Sequence, residues 1–237
     1  MTKLMRRAGA EFAGTAFLVM AVVGSGVMAS RLSPNDVGLQ LLQNSLATGA
    51  ALVALIVALQ PVSASFNPVV TLAERALGMI GTRAALALIG AQFLGGLAGT
   101  VLANLMFDVG PVTFSGHERS GAGLWLGEIV ATAGLLLVVF GTVRSGRADR
   151  VAFAVGGYIT AAYWFTSSTS FANPAVTVAR TITDTFAGIA PDSAPGFVLA
   201  QLLGGAAGFV LVRLLYPTLV PATAMSAAEA ANRKVLS

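Results

Sequence analysis

The chain contains no cysteine. That excludes disulfides, thiolate metal sites and a cysteine nucleophile. Its one histidine is His117, so a histidine metal cluster or a Ser-His relay has almost no material. Charge is scarce too. Only 10% of the 237 residues are Asp, Glu, Lys or Arg, against about 25% in a soluble domain. Hydrophobic residues make up 56%, which rules out a disordered chain, since disorder needs low hydrophobicity. A nucleic-acid surface fits badly despite the net charge of +4. What the chain does have is apolar runs of roughly 20 residues, each able to cross a hydrocarbon core about 30 Å thick. The bilayer is therefore its solvent.

The expected spans are 8–29, 38–60, 83–107, 122–143, 151–168 and 195–216. Lys3, Arg6 and Arg7 precede the first run as they would in a signal peptide. Glu11 lies within that run and no convincing cleavage site follows, so a first membrane helix is expected. With the N-terminus cytoplasmic, six spans return the C-terminus to the same side. Eleven of the 14 Lys and Arg residues then face the cytoplasm, leaving Arg31, Arg119 and Arg180 outside. This is the positive-inside bias, and it orients a multi-pass membrane protein; the localisation expected is a bacterial-type inner membrane. Four segments follow: a first repeat over 1–110, a central extracellular loop over 111–122, a second repeat over 122–217 and a cytoplasmic tail over 218–237.

The halves repeat. Ala91-Gln92-Phe93-Leu94-Gly95-Gly96 matches Ala200-Gln201-Leu202-Leu203-Gly204-Gly205, and Glu11-xxx-Thr15 matches Glu128-xxx-Thr132. Three spans per half is an odd number, so the second copy is inverted in the membrane. Inverted repeats with interrupted helices place the solute path near the midplane. The glycines read as points of close helix approach.

Each half also carries an Asn-Pro pair: Ser65-Phe66-Asn67-Pro68-Val69 and Phe171-Ala172-Asn173-Pro174-Ala175. Asn caps a helix N-terminus, and Pro suits the first helical turn, where its missing N–H goes unnoticed. The pattern predicts half-helices over 67–78 and 173–186, too short to span, meeting N-terminus to N-terminus at the centre. Each end carries about half a positive charge. Two such ends beside a narrow pore repel cations and hydronium, while the Asn67 and Asn173 amides can donate to a passing neutral oxygen.

These motifs resemble the aquaporins of the major intrinsic protein family, over about residues 8–216. The resemblance rests on the paired Asn-Pro boxes, the two Glu-xxx-Thr motifs and the two Gln-containing small-residue segments. It implies an all-α membrane fold of six helices plus two re-entrant half-helices. It also implies a homotetramer with one pore per subunit, passive conduction of small neutral solutes, and no cofactor or metal. The central constriction would comprise Asn67, Pro68, Val69, Asn173, Pro174 and Ala175. Glu11 and Glu128, carboxylates inside spans, would buttress the loops behind the pore.

Two departures from the family pattern bear on the solute. Val69 replaces an alanine, and Val176 stands where the family places an arginine directly after the second box. By spacing from the boxes, the outer filter would comprise Thr48, Ala161, Ser170 and Val176. That set has no aromatic ring, histidine or arginine, and predicts a wide neutral filter. Arg180, one turn further on, is no obvious substitute and is expected behind the constriction or at the half-helix end. Tyr163, Trp164 and Phe165 read as an interfacial belt, and His117 as an exposed loop residue. Filters of small residues without the arginine resemble a bacterial arsenic-associated subgroup, which implies passage of polyols, arsenous acid and water. The competing readings are a secondary transporter, a strict water channel, a membrane enzyme and a structural junction protein.

Overall fold

The computed structural model describes residues 1–216; the expected tail over 218–237 lies outside them. The described residues form eight α-helices and no strand. In chain order they are α1 (Lys3–Leu32), α2 (Val37–Leu59), α3 (Pro68–Ala76), α4 (Thr82–Met106), α5 (Ala122–Arg144), α6 (Val151–Phe165), α7 (Pro174–Ala179) and α8 (Ala194–Leu215). Five of the long helices are apolar and long enough to cross a membrane. The sixth, α6, has 15 residues and is about 23 Å long at 1.5 Å per residue. The short helices α3 and α7 are the two half-helices, and the architecture is the aquaporin-like inverted repeat.

Local chemistry sets the boundaries. Thr2 and Asp36 cap α1 and α2, accepting from Met5 N at 3.3 Å and Leu39 N at 2.9 Å. Gly78 stops α3 with φ +76°. The amides of Gly78 and Met79 donate back to the carbonyls of Arg75 and Glu74 at 3.1 and 2.9 Å, a Schellman closure that needs the left-handed residue. The half-helix α7 ends at Ala179, well short of 186. A single 3₁₀ turn follows over Arg180–Ile182, and Thr183 is extended at φ −139°. There the Thr183 hydroxyl donates to Asn104 Oδ1 at 2.7 Å, which turns the chain away from the helix axis.

Packing repeats with the sequence. The pair α1–α4 corresponds to α5–α8. On α4, Gly95 and Gly99 rest against the carbonyls of Phe12 and Ala16. On α8, Gly204 and Gly208 rest against those of Ile129 and Ala133. A Cβ at any of these four positions would collide with backbone, so close approach requires glycine. The outside is apolar, with Phe17, Leu46, Leu86, Phe153, Leu199 and Leu214 all exposed. The inside holds Glu11, Gln92, Asn104, Glu128 and Gln201, all fully buried. Water as solvent would reverse that distribution; hydrocarbon permits it provided the buried polar groups are bonded.

Candidate functional site

Both half-helices begin where the sequence places them. Asn67 Oδ1 accepts from Val69 N at 2.9 Å. Asn173 Oδ1 accepts from Ala175 N at 3.0 Å and Val176 N at 3.3 Å. The other end of each amide reaches across to the opposite repeat. Asn67 Nδ2 donates to the Ala172 carbonyl, and Asn173 Nδ2 to the Phe66 carbonyl, both at 2.7 Å. An amide nitrogen carries two hydrogens, so each keeps one for a solute.

The residues before the two asparagines are bent into the left-handed region. Phe66 has φ +48° and Ala172 has φ +49°, a conformation that costs a non-glycine residue about 1–2 kcal/mol. Two buried carboxylates hold them there. Glu11 accepts from Ser65 N at 2.9 Å, Phe66 N at 2.7 Å, Ser63 Oγ at 2.5 Å and Gln92 Nε2 at 2.8 Å. Glu128 accepts from Phe171 N and Ala172 N at 2.8 Å, and from Ser168 Oγ and Gln201 Nε2 at 2.6 Å. Each Gln also donates to a hydroxyl on its half-helix, Thr71 at 2.9 Å or Thr177 at 2.8 Å. Both loops are thus clamped by four charge-assisted bonds, roughly twice as strong as neutral ones. Thr15 and Thr132, the partners of the Glu-xxx-Thr spacing, make no side-chain hydrogen bond among the described residues, and nothing in the structure explains their match.

A cavity of about 430 Å³ runs past the two asparagines. Its walls are helix stripes at i, i+4 spacing: Thr48, Leu52, Ile56 and Gln60 on α2, and Val151, Val155, Ile159 and Tyr163 on α6. Lys3, Arg7 and Glu74 line one end, where Ser65 Oγ donates to Glu74 Oε1 at 3.0 Å. Thr48, Tyr163, Ser170, Val176 and Arg180 line the other.

The expected site residues sort into three groups. Asn67 and Asn173 lie on the cavity wall, as do Thr48, Ser170 and Val176. Pro68, Val69, Pro174 and Ala175 are buried behind it in the first turns of the half-helices. Val69 fills the space over Gly205, where a Cβ would overlap its Cγ1. The larger residue in the first box is therefore matched by a glycine opposite. Ala161 does not belong to the wall: it is exposed on the outer side of α6. Two residues on a helix subtend about 200°, and Tyr163 takes the inward place. The Tyr163 hydroxyl lies 3.2 Å from Thr48 Oγ1. This corrects two expectations: the wall contains an aromatic ring, and Tyr163 is not part of an interfacial belt. Trp164 and Phe165, both exposed, fit the belt.

Arg180 stands at the end of α7, one of the two places expected for it, rather than behind the cavity wall. Its side chain is 3% exposed and lines the cavity beside Phe171 and Val176. Sequence spacing missed both Tyr163 and Arg180. The signal for Tyr163 was present in the i, i+4 stripe from Val151. The central loop latches over this end through Thr113 N to Ile182 O at 3.2 Å, Ser115 N to Thr181 O at 3.0 Å and Ala190 N to His117 O at 2.7 Å. His117 faces Asp184 at 4.0 Å with both side chains about half exposed, a pairing worth little in solvent.

Comparison with known proteins agrees with this geometry. Residues 1–166 match the family described as Major intrinsic protein. The aquaglyceroporin AqpS of Rhizobium meliloti (strain 1021) is 48% identical over 229 residues, covering 96% of this chain and 97% of that protein. Aquaporin A of Dictyostelium discoideum is 36% identical over 158 residues, 62% of this chain and 56% of its own. The X-ray structure of the aquaglyceroporin from Plasmodium falciparum shares the fold at TM-score 0.67 and 18% identity, covering 92% of this chain and 97% of that one. The chain belongs to the major intrinsic protein family as an aquaglyceroporin-like member, a multi-pass membrane channel for small solutes and not an enzyme.

Proposed function

We propose that the protein conducts small neutral oxygen-bearing solutes passively: glycerol-like polyols, metalloid acids such as arsenous acid, and water. The observation that carries this reading is the pair of half-helix N-termini beside a largely apolar cavity with polar ends, each with an Asn amide on the wall. A tube with apolar sides and a few fixed donors passes a solute whose hydroxyls take up those donors in turn. The positive helix ends exclude cations without a moving part. Glu11 and Glu128 act as loop supports. Thr48, Ser170 and Val176 form the outer filter, with Tyr163 in the place expected for Ala161. Val176 leaves the position directly after the second box without the arginine of the family pattern, which widens the ring there and favours larger solutes. The 48% identical relative is an aquaglyceroporin, which favours polyols over water alone.

The protein is proposed to sit in a bacterial-type inner membrane with its N-terminus cytoplasmic, assembled as a homotetramer with one pore per subunit. The test is stopped-flow light scattering on proteoliposomes, with water, glycerol and arsenous acid measured in parallel. Non-saturating flux of all three supports the proposal. Water flux alone would indicate a strict water channel, and saturating flux driven by a proton gradient would indicate a transporter.

A further inference from the structure

We infer that Arg180 supplies the guanidinium of the outer filter, from one turn beyond the position that Val176 occupies. This deepens the reading above and rests on it. Arg180 opens the 3₁₀ turn that follows α7, and its side chain folds back along the half-helix rather than outward. The guanidinium carbon lies 3.4 Å from the centroid of the Phe171 ring, itself on the cavity wall. Nε donates to the Ala187 carbonyl. Among the described residues no carboxylate pairs with the group, and its terminal amino groups make no hydrogen bond. A guanidinium has five N–H donors, so four remain. For a side chain 97% buried, unused donors of a fixed charge are costly unless they face a polar path, and the cavity is the path that Arg180 lines.

Arg180 is held there from behind. Arg119, from the central loop, lies 5.3 Å from the same Phe171 ring. Its Nε donates to the Gly188 carbonyl at 2.9 Å, and its Nη2 to that of Phe186 at 3.5 Å. Three successive carbonyls, of Phe186, Ala187 and Gly188, thus fix two cations. Burial pushes the pKa of Arg119 below the usual arginine value. A fixed planar donor on the wall suits a neutral solute with adjacent hydroxyl groups and repels any cation.

The test compares wild type, Arg180→Gln and Arg180→Lys in proteoliposomes. Three readouts are taken: water flux, glycerol flux, and sodium leak followed with a trapped sodium-sensitive dye. Arg180→Gln is expected to raise the leak and lower the glycerol-to-water ratio, each by about tenfold, the scale of one charge-assisted hydrogen bond. Arg180→Lys keeps the charge but loses the planar fork. It is expected to keep the leak low while lowering the glycerol-to-water ratio. A merely structural role would lower water and glycerol together. Wild-type glycerol flux with both ratio and leak unchanged in Arg180→Gln overturns this inference alone. If Arg180→Gln fails to assemble, an unchanged ratio in Arg180→Lys overturns it equally. A wild-type protein closed to glycerol overturns the proposed function and this inference with it.

Discussion

The two asparagine loops are built alike at the centre and differ at the mouths. Each has a left-handed residue, a carboxylate with four donors, a glutamine bridging to a half-helix threonine and an Asn reaching across. Outward from there the copies diverge. The first loop ends among Lys3, Arg7 and Glu74. The second ends at Val176 and Arg180, with a central loop latched over it. The shared part is what any neutral-solute pore requires: positive helix ends and fixed donors. The unshared part is where solutes enter and are sorted. On the proposed reading, symmetry marks the proton barrier and asymmetry marks selectivity.

That comparison is broken most severely at the carboxylates. Glu11→Ala and Glu128→Ala each leave two backbone amides, a serine hydroxyl and one of the two amide hydrogens of a glutamine without an acceptor. Each is expected to destabilise by about 3–5 kcal/mol, as when one partner of a buried charged pair is lost. Thermal unfolding in detergent should show losses equal to within about 1 kcal/mol, the size of a typical single-mutation effect. A clear inequality would mean that the halves are not energetic copies. Next come Asn67→Ala and Asn173→Ala, each losing a cap worth about 0.5–2 kcal/mol. Both should raise proton leak in vesicles loaded with a pH dye. Leak confined to one variant would place the barrier in one half.

Gly205→Ala overpacks against Val69 and should cost about 1–3 kcal/mol. Adding Val69→Ala should restore most of it. The counterpart Gly96→Ala meets the Ala175 carbonyl and Ala179 Cβ, so the same rescue should fail there. Rescue in both would remove the distinction between the boxes. The mildest change is Val176→Arg. It should narrow the outer end and reduce glycerol flux more than water flux in stopped-flow traces, without altering the centre. Equal reduction of both would defeat the size argument.

The sequence makes the centre of the molecule legible because the centre is local. Asn-Pro names a helix start, and Ala122–Arg144 and Val151–Phe165 begin at the residues where charge and glycine give way to apolar runs. The outer filter is less legible because it depends on tertiary reach. Counting back from Asn173 lands on Ala161, but the spacing does not reveal how many loop residues separate α6 from the box. The i, i+4 stripe ending at Tyr163 is the better guide. Arg180 is hidden for another reason. A side chain this long is aimed by its partners, and those partners are the Phe171 ring and a carbonyl seven residues downstream. The early stop of α7 at Ala179 follows from the same contacts, since a longer helix would carry Ala187 away from Arg180.

The crossed asparagine bonds also bear on how the protein is made. Asn67 finds its acceptor 105 residues later, and the Phe66 carbonyl finds its donor 107 residues later. At ribosomal speeds of about 5–20 residues per second, the first loop waits about 5–20 s with a buried amide and carbonyl unmet. Neither repeat can complete its own centre, so the first half in isolation is an unfinished object. Its natural complement is an inverted partner. Two copies of one ancestral half, inserted in opposite orientations, would satisfy each other by these same two bonds.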